Sequence, residues 1–118
     1  MIAELYADTG TSIGSTEYSL PNDAAYDSGS PVADVGVVQA LIDFSAMAVG
    51  DQYEVKVYEK VVAGGTQRVL YNPTLTGPQA SPVVTPGVTM LHGWDITVKK
   101  LAGTDRSIAW SIRAAQSS

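Results

Sequence analysis

Between Tyr53 and Val61 the chain alternates with period two. Tyr53, Val55, Val57, Glu59 and Val61 share one phase, and Glu54, Lys56, Tyr58 and Lys60 the other. Successive side chains of a strand point to opposite faces, whereas a helix face repeats every 3.6 residues. The stretch therefore predicts a long strand with one largely apolar face. Ala63-Gly64-Gly65-Thr66 follows, and glycine takes the positive φ that a tight hairpin needs. The chain then returns through Gln67 to Asn72, with Val69 and Tyr71 on one face and Arg68 and Leu70 on the other.

The same period recurs elsewhere. Val38, Ala40, Ile42 and Phe44 line one face of a strand expected over 35–44. Trp94, Ile96 and Val98 do so over 93–101, and Ile108, Trp110 and Ile112 over 107–113. Ala102-Gly103-Thr104-Asp105 has turn chemistry, so the last two strands are expected to form a hairpin with both tryptophans facing inward. Weaker strand signals cover 2–7, 16–20, 83–84 and 88–90. Pro73, Pro78, Pro82 and Pro86 limit 73–87 to loop and edge strand, because proline cannot donate to a ladder. Residues 21–34 read as a loop, and 45–51 as a connector or a single helical turn.

About seven or eight strands with turn signals every 8–12 residues or so predict an all-β chain. The expected fold is a single-domain antiparallel β-sandwich or jelly roll over 1–118, with 1–34 a candidate N-terminal arm. The expected core is Phe44, Val55, Val57, Trp94, Ile96, Ile108, Trp110 and Ile112.

A chain of 118 residues is one domain and buries roughly two-thirds of its unfolded surface. It has no cysteine and one histidine, His92. That removes disulfides, thiolate zinc sites, cysteine nucleophiles and histidine-pair metal motifs. The net charge of -5 disfavours nucleic acid, which needs clustered Lys and Arg. The first residues lack the basic and apolar regions of a signal peptide, and no apolar stretch approaches the roughly 20 residues of a membrane span. An acidic, cysteine-free chain suits synthesis in a reducing cytoplasm.

Charge is unevenly placed. Residues 1–50 hold Glu4, Asp8, Glu17, Asp23, Asp27, Asp34 and Asp43 and no Lys or Arg. Residues 51–118 hold Lys56, Lys60, Arg68, Lys99, Lys100, Arg106 and Arg113 with five acids. Either this is a handle that orients subunits in an assembly, or strands distant in sequence interleave and the asymmetry vanishes in space.

Several constellations offer chemistry. His92 as a base needs a nucleophile and an orienting acid; Asp95 is near in sequence, and the alternative is a surface histidine at a strand end. A glycosidase acid pair must face across a cleft, but Glu54 and Glu59 fall on opposite faces, with Glu59 near a strand end where solvent is expected. Asp23, Asp27 and Asp34, with Asn22 and Ser28, offer oxygen ligands for calcium without the EF-hand spacing; the alternative is a solvated acidic loop. Gly64-Gly65 and Gly103 match no phosphate-binding loop. The reading is a non-catalytic protein with no cofactor and no metal. Tyr6, Tyr18, Tyr26 and Tyr58, with Pro78 and Pro82, are the candidate partner contacts. Tyr58 lies on the polar phase of its strand, which suits either an interface core or cross-strand packing.

Three stretches occur in order: DFSAMAVGDQYEVKVYEKVVAGGTQRVLY, GWDITVKKLAGTDRSIAW and the closing SIR. Together they make residues 35–113 resemble small virion proteins of tailed bacteriophages, of the head-decoration or capsid-cement type. The resemblance implies a small β-sandwich or jelly roll on the capsid surface. Its partners would be the major capsid protein and copies of itself, in a trimer or other symmetric cluster. It carries over no catalytic residue. A neck, tail or head-fibre protein and a carbohydrate-binding β-sandwich are the rival readings.

Overall fold

The computed structural model describes residues 1–115. It contains eleven strands: β1 (Ile2–Ile13), β2 (Tyr18–Ser19), β3 (Ala24–Ala25), β4 (Gly36–Asp43), β5 (Gln52–Lys60), β6 (Gln67–Tyr71), β7 (Thr74–Thr76), β8 (Val83–Val84), β9 (Val88–Met90), β10 (Trp94–Ala102) and β11 (Arg106–Ala115). One antiparallel sheet runs β1-β11-β4-β8, with β9 also on β4; the other runs β3-β2-β10-β5-β6, with β7 also on β5.

The prolines explain the small pieces. β6 and β7 share the edge of β5 and are separated at Pro73. β8 and β9 share the edge of β4 and are separated at Pro86. Taken as broken edge strands, these pairs leave two sheets of four positions each, with β3 as an extra hairpin leg. The chain is then one long antiparallel hairpin rolled on itself. β1, β2, β4 and β5 form one leg and pair with β11, β10, β8/β9 and β6/β7 of the other. That is a jelly-roll arrangement, a β-sandwich of two packed antiparallel sheets.

Rolling overturns one expectation. β10 and β11 are not a hairpin; they lie in opposite sheets, and Ala102–Asp105 crosses between them. Asp51 holds that crossing. Its carboxylate accepts from the N–H groups of Thr104 (3.0 Å) and Ala48 (2.9 Å) and from Arg106 Nε (2.7 Å). Arg106 and these backbone donors keep the Asp51 carboxyl well below the usual carboxylate range. The segment 45–51 is turns rather than a helical turn.

The two apolar faces meet as the core. Phe44, Val55, Val57, Trp94, Ile96, Ile108, Trp110 and Ile112 are all buried, joined by Ile13, Leu20, Tyr53 and Met90. Both tryptophans point inward although their strands belong to different sheets. Tyr53 packs on Phe44 at 5.9 Å, and its hydroxyl donates to the Ile13 carbonyl (2.8 Å). Residues 1–34 are woven into the body instead of extending from it. β1 pairs along β11 from Ile2 to Ile13, Val32 bridges Trp94, and β2 adds to β10.

Interleaving distributes the charges only in part. Lys56–Glu54, Lys100–Asp105 and Arg106–Asp51 are the ion pairs among the described residues, and all lie within 51–118. The acids of the first fifty residues meet hydroxyl and backbone donors instead.

Candidate binding surfaces

A trough of about 790 Å3 lies on the outer face of the β1-β11-β4-β8 sheet. Its form follows from side-chain size. The central strand contributes Ala109 and Ser111, which leave a low floor beside Leu41. Glu4, Asp8, Asp43 and Pro82 rise around it. Asp43 accepts from the Ser45 N–H (2.8 Å), which holds its carboxyl below the ordinary value. Asp8 accepts from the Gly10 N–H (2.8 Å), inside the Asp8/Thr11 irregularity of β1. Ser111 Oγ donates to Glu4 Oε2 (2.5 Å) and Arg113 Nε donates to Ser111 Oγ (3.1 Å). Arg113 thus reaches Glu4 only through the Ser111 hydroxyl, at one end of the trough.

A smaller hollow of about 290 Å3 lies around the other side of β1, between Tyr6, Asp8, Leu20, Pro21 and Asp23. Trp110 borders both concavities. Its indole N–H is buried without a hydrogen-bond partner.

Part of the outer face of the second sheet is covered by chain. Asp95, Thr97 and Tyr58 share that face, since Asp95 pairs with Tyr58 and Thr97 with Lys56. Glu17 and Tyr26 flank the β2–β3 hairpin and lie over it. Glu17 Oε2 accepts from the Tyr58 hydroxyl and the Thr97 hydroxyl, both at 2.6 Å. Tyr26 stacks on Tyr58 with ring centroids 4.6 Å apart, and its hydroxyl donates to Gln67 Oε1 (2.7 Å). Beneath them Asp95 is fully buried. One of its oxygens accepts from Ser19 Oγ (2.7 Å) and the Ile96 N–H (2.8 Å), while Oδ2 has no partner. Burial pushes the Asp95 carboxyl up to about 6, assisted by the charge of Glu17.

The tyrosines anticipated at a partner surface are turned inward or tied down. Tyr58 is 7 % exposed, so it packs across strands and offers no free face. Burial and the bond to Glu17 raise its hydroxyl far above the ordinary value. Tyr26 is half-buried on it. Tyr18 meets Trp110 edge-on at 5.9 Å, and its hydroxyl donates to Asp23. Tyr6 meets Trp94 edge-on at 6.4 Å, and its hydroxyl donates to Asp34 (2.7 Å). Burial and those carboxylate partners push Tyr6 and Tyr18 up to about 12. Pro78 and Pro82 are exposed, and Pro82 edges the trough.

The catalytic constellations are not assembled. His92 is exposed, whereas Asp95 is buried and bonded to Ser19. Glu59 was expected in solvent but is 7 % exposed. Its carboxylate accepts from the Leu91 (2.6 Å), Lys60 (3.0 Å) and His92 (3.4 Å) N–H groups, fixing the β9–β10 turn against β5. Asp23, Asp27 and Asp34 serve different partners: Tyr18, the Gly29 N–H and Tyr6. Among the described residues, no three acidic or histidine side chains gather to hold a metal.

Sequence reasoning missed Glu17, Asp51 and the trough. Glu17 falls in the weak strand signal over 16–20 and Asp51 at the end of the 45–51 connector, with no local sign of a partner. Their partners lie 41 and 55 positions away at Tyr58 and Arg106. The trough had a signal in hindsight, the small outward residues Ala109 and Ser111 on a strand whose other face is large. Compared with known protein families, curated proteins and solved structures, the chain matches none.

Proposed function

We propose that this chain is a non-catalytic virion protein of a tailed bacteriophage. In this reading it binds the outer surface of the capsid and stabilises it. It is made in the bacterial cytoplasm, and several copies cluster symmetrically on the lattice. The observation that carries the reading is the open trough on one sheet face, a surface that another protein can cover. The jelly roll supports it as an architecture common in capsid domains, although fold by itself does not assign function. The resemblance of residues 35–113 to decoration proteins, read from the sequence, is what names the capsid as the partner in this reading. Stabilisation needs no chemistry: a protein that binds the assembled shell and not its separated subunits shifts the equilibrium toward the shell.

A glycan-binding reading calls for exposed coplanar aromatics, whereas Tyr58 is buried and Tyr6, Tyr18 and Tyr26 are half-buried with their hydroxyls bonded. The test is quantitative mass spectrometry of purified particles, counting this chain against the major capsid protein. A fixed simple ratio over the lattice is expected. A handful of copies per particle moves the protein to the neck or tail, and complete absence overturns the virion reading.

A further inference from the structure

Apolar side chains reach solvent at both ends of the sandwich, with Val49 88 % exposed in the 44–51 connection. The 44–51 connection joins β4 to β5 at one end, and the β5–β6 turn closes the other. That turn presents Val61 and Val62, 70 % and 60 % exposed, and Val69 and Leu70 on β6 and Leu91 after β9 are also exposed. Single apolar side chains in solvent are ordinary, but Val61 and Val62 are adjacent and together offer an apolar tip for contact. Lys60 and Arg68 flank the turn, opposite Gln67 and Glu59 in the ladder. Neither base makes an ion pair among the described residues. Glu59 does not neutralise Arg68, because its carboxylate is turned inward onto three backbone N–H groups.

The trough offers the complementary surface. Leu41, Ala109 and Pro82 give it apolar area, and no Lys or Arg lines it. Arg113 serves the Glu4 end through Ser111, which leaves Asp8 and Asp43 without a cation. Asp43 lies at the end of β4 that leads into the 44–51 connection, away from the β5–β6 turn. One copy therefore cannot fill its own trough with its own turn.

We infer that the trough of one copy receives the β5–β6 turn of a second, with Val61 and Val62 against Leu41 and Ala109, and Lys60 and Arg68 beside Asp8 and Asp43. Each copy then gives one turn and receives one. Such a head-to-tail contact closes into a ring where the rotation allows and otherwise continues as a chain. It also gives the uneven charge a use: the acids of the receiving surface come from residues 1–50, and the bases of the inserted one from 51–118. The inference deepens the reading above, in which copies cluster, but it concerns the free chain and is tested apart from capsid binding.

The absence of cysteine makes a direct test simple. Val62→Cys protein is mixed with Leu41→Cys protein under mild oxidation, and each is also oxidised alone. The mixed disulfide is expected to form faster than either self-disulfide. Equal rates for the mixed and self pairs overturn the inference. In parallel, sedimentation equilibrium at low salt follows Asp43→Lys, Arg68→Glu and the double variant. Each single reversal is expected to weaken self-association about ten-fold or more, and the double reversal to restore it. A wild-type chain that stays monomeric at millimolar concentration, or association indifferent to both reversals, overturns the inference. A failed copy count on particles with intact self-association would discard the capsid reading alone.

Discussion

Asp95 makes the stability of this protein fall as pH rises through the weakly acidic range. Its side chain is completely buried on β10, with one oxygen bonded to Ser19 and Ile96 and the other unpartnered. Burial raises its pKa from 3.8 to about 6. Below pH 4 both folded and unfolded chains hold the proton. Between about 4 and 6 the unfolded chain releases it while the folded chain keeps it. The folded state then binds more protons, so unfolding becomes easier with each step up in pH. Above about 6 both states are ionised and the loss is complete. At about 1.4 kcal/mol for each pKa unit, the whole effect is at most about 3 kcal/mol. Asp51 and Asp43 act in the opposite sense, because their folded carboxyls are depressed. The stability they add is present above the ordinary carboxylate value and lost as pH falls below it, which leaves the window from 4 to 6 to Asp95. Asp95→Asn keeps an acceptor for Ser19 and Ile96 and removes the titration. Urea denaturation in steps from pH 4 to 7.5 is expected to show a falling midpoint in the wild type and a nearly flat one in the variant. An unchanged slope in Asp95→Asn would refute the assignment of the slope to this carboxyl.

Three further substitutions probe the frame. Trp110→Ala empties a site that is 5 % exposed and touches both sheets, and should cost about 3–5 kcal/mol in chemical denaturation. Gly103→Ala meets two obstacles: φ is +91°, and a Cβ would come within 2.2 Å of Asp51 Oδ1 and 2.9 Å of the Gly50 carbonyl. Its cost should exceed the roughly 1 kcal/mol of an ordinary unfavourable glycine replacement, seen as a thermal midpoint lower than that of Gly64→Ala, whose Cβ would meet open space. Tyr58→Phe removes one donor from Glu17 while Thr97 still serves it. The expected loss is about 1.5 kcal/mol, the low end for a bond to a charged group, and hydrogen exchange should rise first at the Tyr26 N–H, which donates to the Glu17 carbonyl.

The parts legible in the sequence were those written in neighbouring residues. The alternation over Tyr53–Lys60 and the glycines after it are local signals, and strand, turn and inward face follow from them. Val88–Met90 and Val83–Val84 were legible because prolines bounded them. The inward direction of Trp94 and Trp110 was equally local. Their sheet membership was not. A turn such as Ala102–Asp105 can close a hairpin or cross between sheets with the same residues. In the crossing, Thr104 and Arg106 are held by Asp51, 53 and 55 positions upstream. The fate of Tyr58 was hidden for the same reason. Its phase placed it on the outer face of the sheet, but what covers that face comes from Glu17 and Tyr26, 41 and 32 positions away. An outward phase states a direction, and burial also depends on what the rest of the chain lays over it.

The rolled hairpin also explains why the charge imbalance survives folding. Pairing the first leg with the second brings acid-bearing strands beside base-bearing ones, and opposite charges directly across a ladder attract. Glu4 opposite Arg113 is such a neighbour, yet Ser111 stands between their bonded atoms. Elsewhere the bases find acids within their own half, as Lys100 does in Asp105 and Arg106 in Asp51. The acids at the open end of the trough keep their charge, and the bases at the β5–β6 turn keep theirs. Each carries little energy alone in water, where an exposed pair is worth roughly 0–1 kcal/mol. Set beside apolar side chains that exclude water on contact, the same charges fix register and orientation more than affinity. Strand pairing within one chain thus leaves unsatisfied, at opposite ends of the sandwich, the two surfaces that a neighbouring copy can satisfy.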